Sequence, residues 1–220
     1  MSAIPGATAK PRGLITDWGG VLTAPVAASV AAWLKADGID ALGYRCVMTQ
    51  WVGEAYGPEG PKNPVHALER GEITPQQFER LLAARLIRTD GDAVPADGLL
   101  RRMFAAMVPV EPMYALLRSV RGAGIPTGLL SNSWGNDYPR ETFPDLFDAV
   151  VISSEVGMRK PEEAIFLHAL ARLGLTPEHC VFIDDIEANV TAARALGMVG
   201  LHHREPDGTA AAVKDLFGLT

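Results

Sequence analysis

Apolar residues recur along this chain in two rhythms. Four short runs, Gly13 to Thr16, Ile125 to Leu130, Ala149 to Ile152 and Cys180 to Ile183, are continuous rather than alternating, and a fifth, Met198 to Leu201, follows closely. Continuous apolar character marks strands covered on both faces. Between the later runs the spacing turns helical. Met113 to Ala123 carries Leu116, Leu117 and Val120 at helical intervals. Pro161 to Leu173 opens with a first-turn proline and stops at Gly174, and the alanine-rich Glu187 to Leu196 stops at Gly197. Strand alternating with helix predicts an α/β fold built on a doubly wound parallel sheet.

The stretch from Pro25 to Val108 breaks that rhythm and contains no convincing strand run. Helical patterns occupy Val26 to Ala36, Tyr44 to Ala55 and Gln76 to Leu86. Thr74-Pro75-Gln76-Gln77 has the form of a capping box, with Thr74 as N-cap and Gln77 as its reciprocal partner. Gly57 to Pro64 reads as a loop. The division that follows is a flexible tail over 1–12, an α/β core over 13–24 and 109–220, and a helical insertion over 25–108. A second independent domain is the weaker alternative, because the sheet resumes after the insertion.

Composition narrows the class. The chain has 220 residues, 48% of them apolar, and a net charge of −6. That balance offers no basic face for nucleic acid. No apolar run reaches the ~18 residues a membrane span needs, and Met1 to Arg12 lacks the apolar segment of a secretion signal. Cys46 and Cys180 are the only cysteines, which fits a reducing cytoplasm better than a disulfide scaffold. Oligomeric state stays open, with a homodimer as one option.

Chemistry-bearing residues recur at the ends of predicted strands. Asp17 follows the first, Ser131-Asn132 the second, and Asp184-Asp185 the run ending at Ile183, while Lys160 sits in Gly157-Met158-Arg159-Lys160-Pro161. Each alone is ordinary turn or capping chemistry. Together they bring a nucleophile, a hydroxyl, a cation and an acidic pair to one crevice of an open α/β sheet.

In this order the strings Asp17-Trp18-Gly19-Gly20-Val21-Leu22, Leu130-Ser131-Asn132-Ser133, Gly157-Met158-Arg159-Lys160-Pro161 and Phe182-Ile183-Asp184-Asp185, with Asn189 four residues on, resemble the haloacid dehalogenase superfamily. They are most similar to its subgroup with a small helical cap inserted after the first motif. The resemblance implies a small-molecule phosphatase working through an aspartyl-phosphate, with Asp17 as nucleophile, Ser131 and Lys160 beside it, and Mg²⁺ as cofactor. Mg²⁺ would take oxygens from Asp17, Asp185, the Gly19 carbonyl and Asp184, the last directly or through water. Backbone amides near Trp18 and Asn132 would hold phosphoryl oxygens, Arg159 would aid anion binding unless it is a solvated surface residue, and Asn189 would brace the site.

Gly19 departs from the pattern. Related phosphatases commonly carry an aspartate there, whose loss removes a general acid normally worth ~10²–10⁴-fold. Three readings remain: a phosphatase whose proton comes from elsewhere or whose leaving group needs none, a metal-free 2-haloacid dehalogenase, and a low-turnover phosphate- or metal-binding module. Against the second, two adjacent carboxylates without a cation would repel each other and an anionic substrate. His66 is a candidate donor, with an ordinary helix histidine as the simpler reading. Trp33 is expected in the core of the insertion, Trp51 and Tyr56 in a pocket with Tyr44, and Trp134 on a pocket wall. His202 and His203 would point to opposite faces of an extended segment and share no metal.

Overall fold

The computed structural model describes residues 10–55 and 63–219. Residues 1–9 of the tail expected over 1–12, Tyr56 and most of the Gly57 to Pro64 loop therefore lie outside the described residues; within the rest of that tail Pro11 is buried and the Arg12 amide donates to the His179 carbonyl at 2.7 Å, which ties this part to the sheet side. Strand β1 (Gly13–Thr16) opens the fold, and five helices follow it: α1 (Val26–Ala36), α2 (Ala41–Ala55), α3 (Pro64–Glu69), α4 (Pro75–Ala83) and α5 (Leu99–Met103). Then come α6 (Glu111–Gly122), β2 (Thr127–Ser131), α7 (Phe143–Leu146), β3 (Ala149–Ile152), α8 (Ser153–Val156) and α9 (Glu163–Leu173). The chain closes with β4 (Cys180–Asp184), α10 (Glu187–Ala195), β5 (Val199–His202) and α11 (Pro206–Phe217).

The strands form one parallel sheet in the order β3-β2-β1-β4-β5. Successive strand residues face opposite sides, so each apolar run feeds two cores. Leu14, Leu129, Val181 and Val199 pack on one side with Met113, Leu117, Val213 and Phe217 of α6 and α11. Ile15, Leu130, Val151 and Phe182 pack on the other with Ile165, Phe166 and Ala193 of α9 and α10. This is the α/β, doubly wound arrangement that the unbroken apolar runs predict.

Local details depart from the expected boundaries. β2 begins at Thr127 rather than Ile125, because Pro126 has no N–H to give the ladder. Pro161 does not open α9: it follows a cis peptide bond with Lys160, and Glu162 takes the N-cap position. Helix α11 was not expected. Its first turn is instead organised by Glu205, whose carboxylate accepts from the Asp207 and Gly208 amides. The Thr74 capping box is present in both directions, at 3.2 and 2.7 Å.

The inserted helices have their own apolar cluster, which includes Trp33, Trp51, Phe78, Leu82, Leu99 and Met103. The chain leaves and re-enters the sheet side by side. The Ala24 amide donates to the Val108 carbonyl at 2.8 Å, and the Val110 amide to the Leu22 carbonyl at 2.9 Å. A second tie comes from α3. Glu69 Oε2 meets Arg159 Nε at 2.5 Å, while Glu69 Oε1 accepts from Trp134 Nε1 at 2.9 Å. Arg70 pairs with Glu162 beside them. The approach is close enough that Gly71, at φ +71°, has no room for a side chain, since a Cβ there would lie 2.5 Å from the Ser154 carbonyl oxygen. No helix among the described residues is long and apolar enough to cross a membrane.

Glu69 and Arg159 are almost fully buried, at 3% and 2% exposure. Removing one partner of a buried pair typically costs ~3–5 kcal/mol, because the other charge stays behind. Glu69→Gln is therefore expected to lower the unfolding free energy by about 3 kcal/mol in a urea titration. A loss below about 1 kcal/mol would show that the pair is not what fastens α3 to the sheet domain.

Candidate active site

The site lies at the C-terminal ends of β1, β2 and β4, the edge where open parallel sheets present their chemistry. Asp17 leaves β1 with its amide held by the Ile183 carbonyl at 2.8 Å. Asp184 is the last residue of β4, and Ser131 the last of β2. Lys160 reaches in from the segment between α8 and α9. Its Nζ sits 2.8 Å from Asp17 Oδ1 and 2.6 Å from Asp184 Oδ2, and the side chain is 1% exposed.

The Asn132 side chain is engaged by the lysine segment rather than by an anion. Its Oδ1 accepts from the Lys160 amide at 2.8 Å and its Nδ2 donates to the Lys160 carbonyl at 3.0 Å. This pair of bonds fixes the lysine backbone. Asp184 is saturated in the same way. Its Oδ1 accepts from the Ile186 amide, Asn189 Nδ2 lies 3.1 Å from both oxygens, and Lys160 holds Oδ2. Asp185 is half-buried, and Gly20 makes room for it. At φ +74° a Cβ on residue 20 would lie 2.2 Å from Asp185 Oδ2, so the second glycine of the turn is sterically required. Gly19 is different. Its backbone is not left-handed, and a Cβ would make ordinary contacts at 3.6 Å to Met107 and 3.7 Å to Val26.

Asp17, Asp184 and Asp185 each offer an oxygen within 4.8 Å of the others. Three carboxylates thus face one ammonium. Burial pushes the Asp17 carboxyl up to about 7; Lys160 opposes the rise, and Asp184 and Asp185 add to it. Burial and then Asp184 push Asp185 up to about 6. Burial pulls Lys160 down, yet Asp17 and Asp184 outweigh it and hold the ammonium above its ordinary range. All-oxygen donors with an uncompensated negative charge suit a hard divalent cation, whose binding would expel the protons these shifts favour.

Several side chains lie elsewhere than expected. Arg159 is neither a surface arginine nor turned to an anion: it is buried against Glu69, because the chain next to Lys160 passes beneath α3. Trp51 packs edge-on against Phe78, ring centroids 5.8 Å apart, inside the cluster of the inserted helices, and does not line the cavity over the site. His66, on α3, does not line it either. Trp33 is in the helical core as expected, while Tyr44 and Trp134 line the cavity. His202 meets the Asp185 carbonyl at 3.0 Å and His203 meets Thr209 at 2.8 Å, so the two imidazoles serve separate partners.

The motifs do not disclose Tyr138. Its hydroxyl lies 2.9 Å from Ser131 Oγ, its ring packs on Trp18 with centroids 4.8 Å apart, and burial pushes its pKa up to about 12. It lies seven positions after Ser131 in an irregular loop, which leaves no periodicity to find it by.

Comparison with known proteins fits this geometry. A family model for haloacid dehalogenase-like hydrolases matches residues 11–197. A sesquiterpene phosphatase of Aspergillus oryzae is 32% identical over 154 residues, covering 68% of this chain and 77% of that protein. A glyceraldehyde 3-phosphate phosphatase of Methanopyrus kandleri is 30% identical, over 62% of this chain and 61% of its own length. Among solved structures, a magnesium complex of a family enzyme from Bacteroides thetaiotaomicron is 25% identical, with a TM-score of 0.59 over 89% of this chain and 94% of that one. The family match spans β1 to α10 and includes the Asp17, Ser131, Lys160 and Asp184-Asp185 positions, so the protein belongs to the haloacid dehalogenase-like hydrolases.

Proposed function

We propose that the protein is a Mg²⁺-dependent phosphatase of a small phosphorylated molecule, working through a phosphoryl group carried on Asp17. One observation carries the reading: a buried carboxylate in contact with a lysine, beside two further carboxylates whose oxygens lie within 4.8 Å. The sesquiterpene and glyceraldehyde 3-phosphate phosphatases among its relatives and the magnesium-bound family structure support it.

Asp17, Asp185 and the Gly19 carbonyl would hold the cation. Asp184, with both oxygens engaged by Lys160, Asn189 and the Ile186 amide, would act on it from a second layer. Bound Mg²⁺ would offset the repulsion between a phosphate dianion and an attacking carboxylate. The remaining tasks fall to the chain. The amides of Trp18, Gly19 and Asn132 have no acceptor among the described residues, and so are available to phosphoryl oxygens. Tyr138 orients the Ser131 hydroxyl, and Lys160 steadies Asp17 and the transferred group.

In the first step an Asp17 oxygen attacks phosphorus and the bond to the leaving oxygen breaks. That oxygen takes its proton from water, since Gly19 supplies none. In the second step water attacks phosphorus, the Asp17–phosphorus bond breaks, the proton the water gives up returns to the hydroxide formed in the first step, and inorganic phosphate leaves. The balance is one water consumed, one alcohol and one phosphate released.

A panel of phosphomonoesters assayed with and without Mg²⁺, beside a 2-haloacid, tests the reading. Mg²⁺-dependent phosphate release is expected. Metal-independent halide release would replace the proposal with the dehalogenase alternative, and turnover of neither substrate class would favour a binding module.

The open space at Gly19 allows a second test. Gly19→Asp should fold normally, because the Cβ contacts are ordinary. It is expected to raise kcat on an alkyl phosphate by up to ~10²-fold and on p-nitrophenyl phosphate far less, since a good leaving group needs little proton help. An equal effect on both substrates would show that residue 19 does not limit protonation.

A further inference from the structure

A cavity of about 900 Å³ rises from Asp17 and Lys160, and its chemistry divides sharply. The floor is polar: Asp17, Ser131, Asn132, Lys160, Asp185 and Asn189. The walls are not. α1 contributes the stripe Val26, Val30 and Leu34, four residues apart on one helix face. α2 adds Met48 and Val52, and the turn after α5 adds Phe104 and Met107. These seven side chains are half-buried rather than packed away, so their unburied surface faces the cavity.

Neither a phosphosugar nor a nucleotide suits such walls. Their hydroxyls would leave water without finding partners, at a cost in free energy for each unpaired group. The polar wall groups do not change this. They are few and scattered: Arg45 and Thr49 are solvent-exposed on α2, Tyr44 offers a single phenol, Asn136 Oδ1 already accepts from the Trp134 amide, and the Glu69 carboxylate is taken by Arg159 and Trp134. A hydrocarbon is what the walls bind best, because it removes apolar surface from water on both sides.

Resting on the phosphatase reading, we propose that the substrate is a phosphomonoester of a long or bulky aliphatic alcohol. Its phosphoryl group would lie on the Asp17–Lys160 floor and its hydrocarbon against the α1 and α2 stripes. Val30, Leu34 and Met48 are then specificity-determining residues. The hydrolysis is the one balanced above, with the aliphatic alcohol as leaving group.

The test is a series of n-alkyl phosphates from ethyl to octyl, kept below their micelle thresholds, with glycerol phosphate as the polar comparison. kcat/KM is expected to rise about two- to fourfold per methylene. Ala31→Trp, at an exposed position of α1 that lines the cavity, is expected to end that rise at a shorter chain. A flat or falling series, or glycerol phosphate preferred over an alkyl phosphate of similar length, would overturn the substrate class and leave the phosphatase reading intact. Calorimetric binding of the matching alkyl phosphonates, which cannot be hydrolysed, separates the two claims. Affinity that grows with chain length without turnover of any phosphate would uphold the apolar cavity and overturn the phosphatase reading. Affinity that ignores chain length would overturn the substrate class whatever the kinetics show.

Discussion

The buried ammonium of Lys160, held between Asp17 and Asp184, is the contact on which the site depends. Three carboxylates converge at the ends of β1 and β4, and without a cation among them their burial would be prohibitively costly. Lys160 supplies one positive charge and the donor set invites a divalent ion to complete the balance. Neighbouring details follow from keeping that lysine in place. Asn132 clamps its backbone from both sides, and Asn189 and the Ile186 amide hold Asp184 in reach.

Strand length and order deliver the three carboxylates and Ser131, while Lys160 comes in from the segment between α8 and α9. β1 lies centrally between β2 and β4, so residues just past the three strands meet at one edge. The helices inserted after β1 then stand over that edge. Their attachment is double: the paired chain segments near Ala24 and Val108, and the buried Glu69–Arg159 contact. The second attachment reaches the residue next to Lys160. The position of the inserted helices and that of the lysine segment are therefore mechanically linked.

Much of this was legible from residue order. Unbroken apolar runs reveal a sheet covered on both faces, and chemistry-bearing residues at their ends reveal where it opens. What stayed hidden are contacts between residues distant in the chain. Arg159 beside Lys160 looks like a second anion-binding charge, yet its partner Glu69 lies ninety residues away and no local signal pairs them. Trp51 beside a glycine- and proline-rich stretch looks exposed to a pocket, yet helical phase turns it onto Phe78. The four-residue spacing of Val26, Val30 and Leu34 is visible in the sequence, but spacing in so apolar a helix cannot say that Val30 and Leu34 face a cavity rather than a packed neighbour. Gly19 and Gly20 look alike in sequence, and only the Cβ environments show that one is sterically compelled and the other is not.

The proposed function turns on Asp17 carrying the phosphoryl group during turnover. Acid quenching during steady-state turnover of a phosphomonoester with Mg²⁺, followed by peptide mass spectrometry, measures this directly. A phosphoryl adduct on Asp17 is expected. An adduct on Ser131 or any other side chain would contradict it.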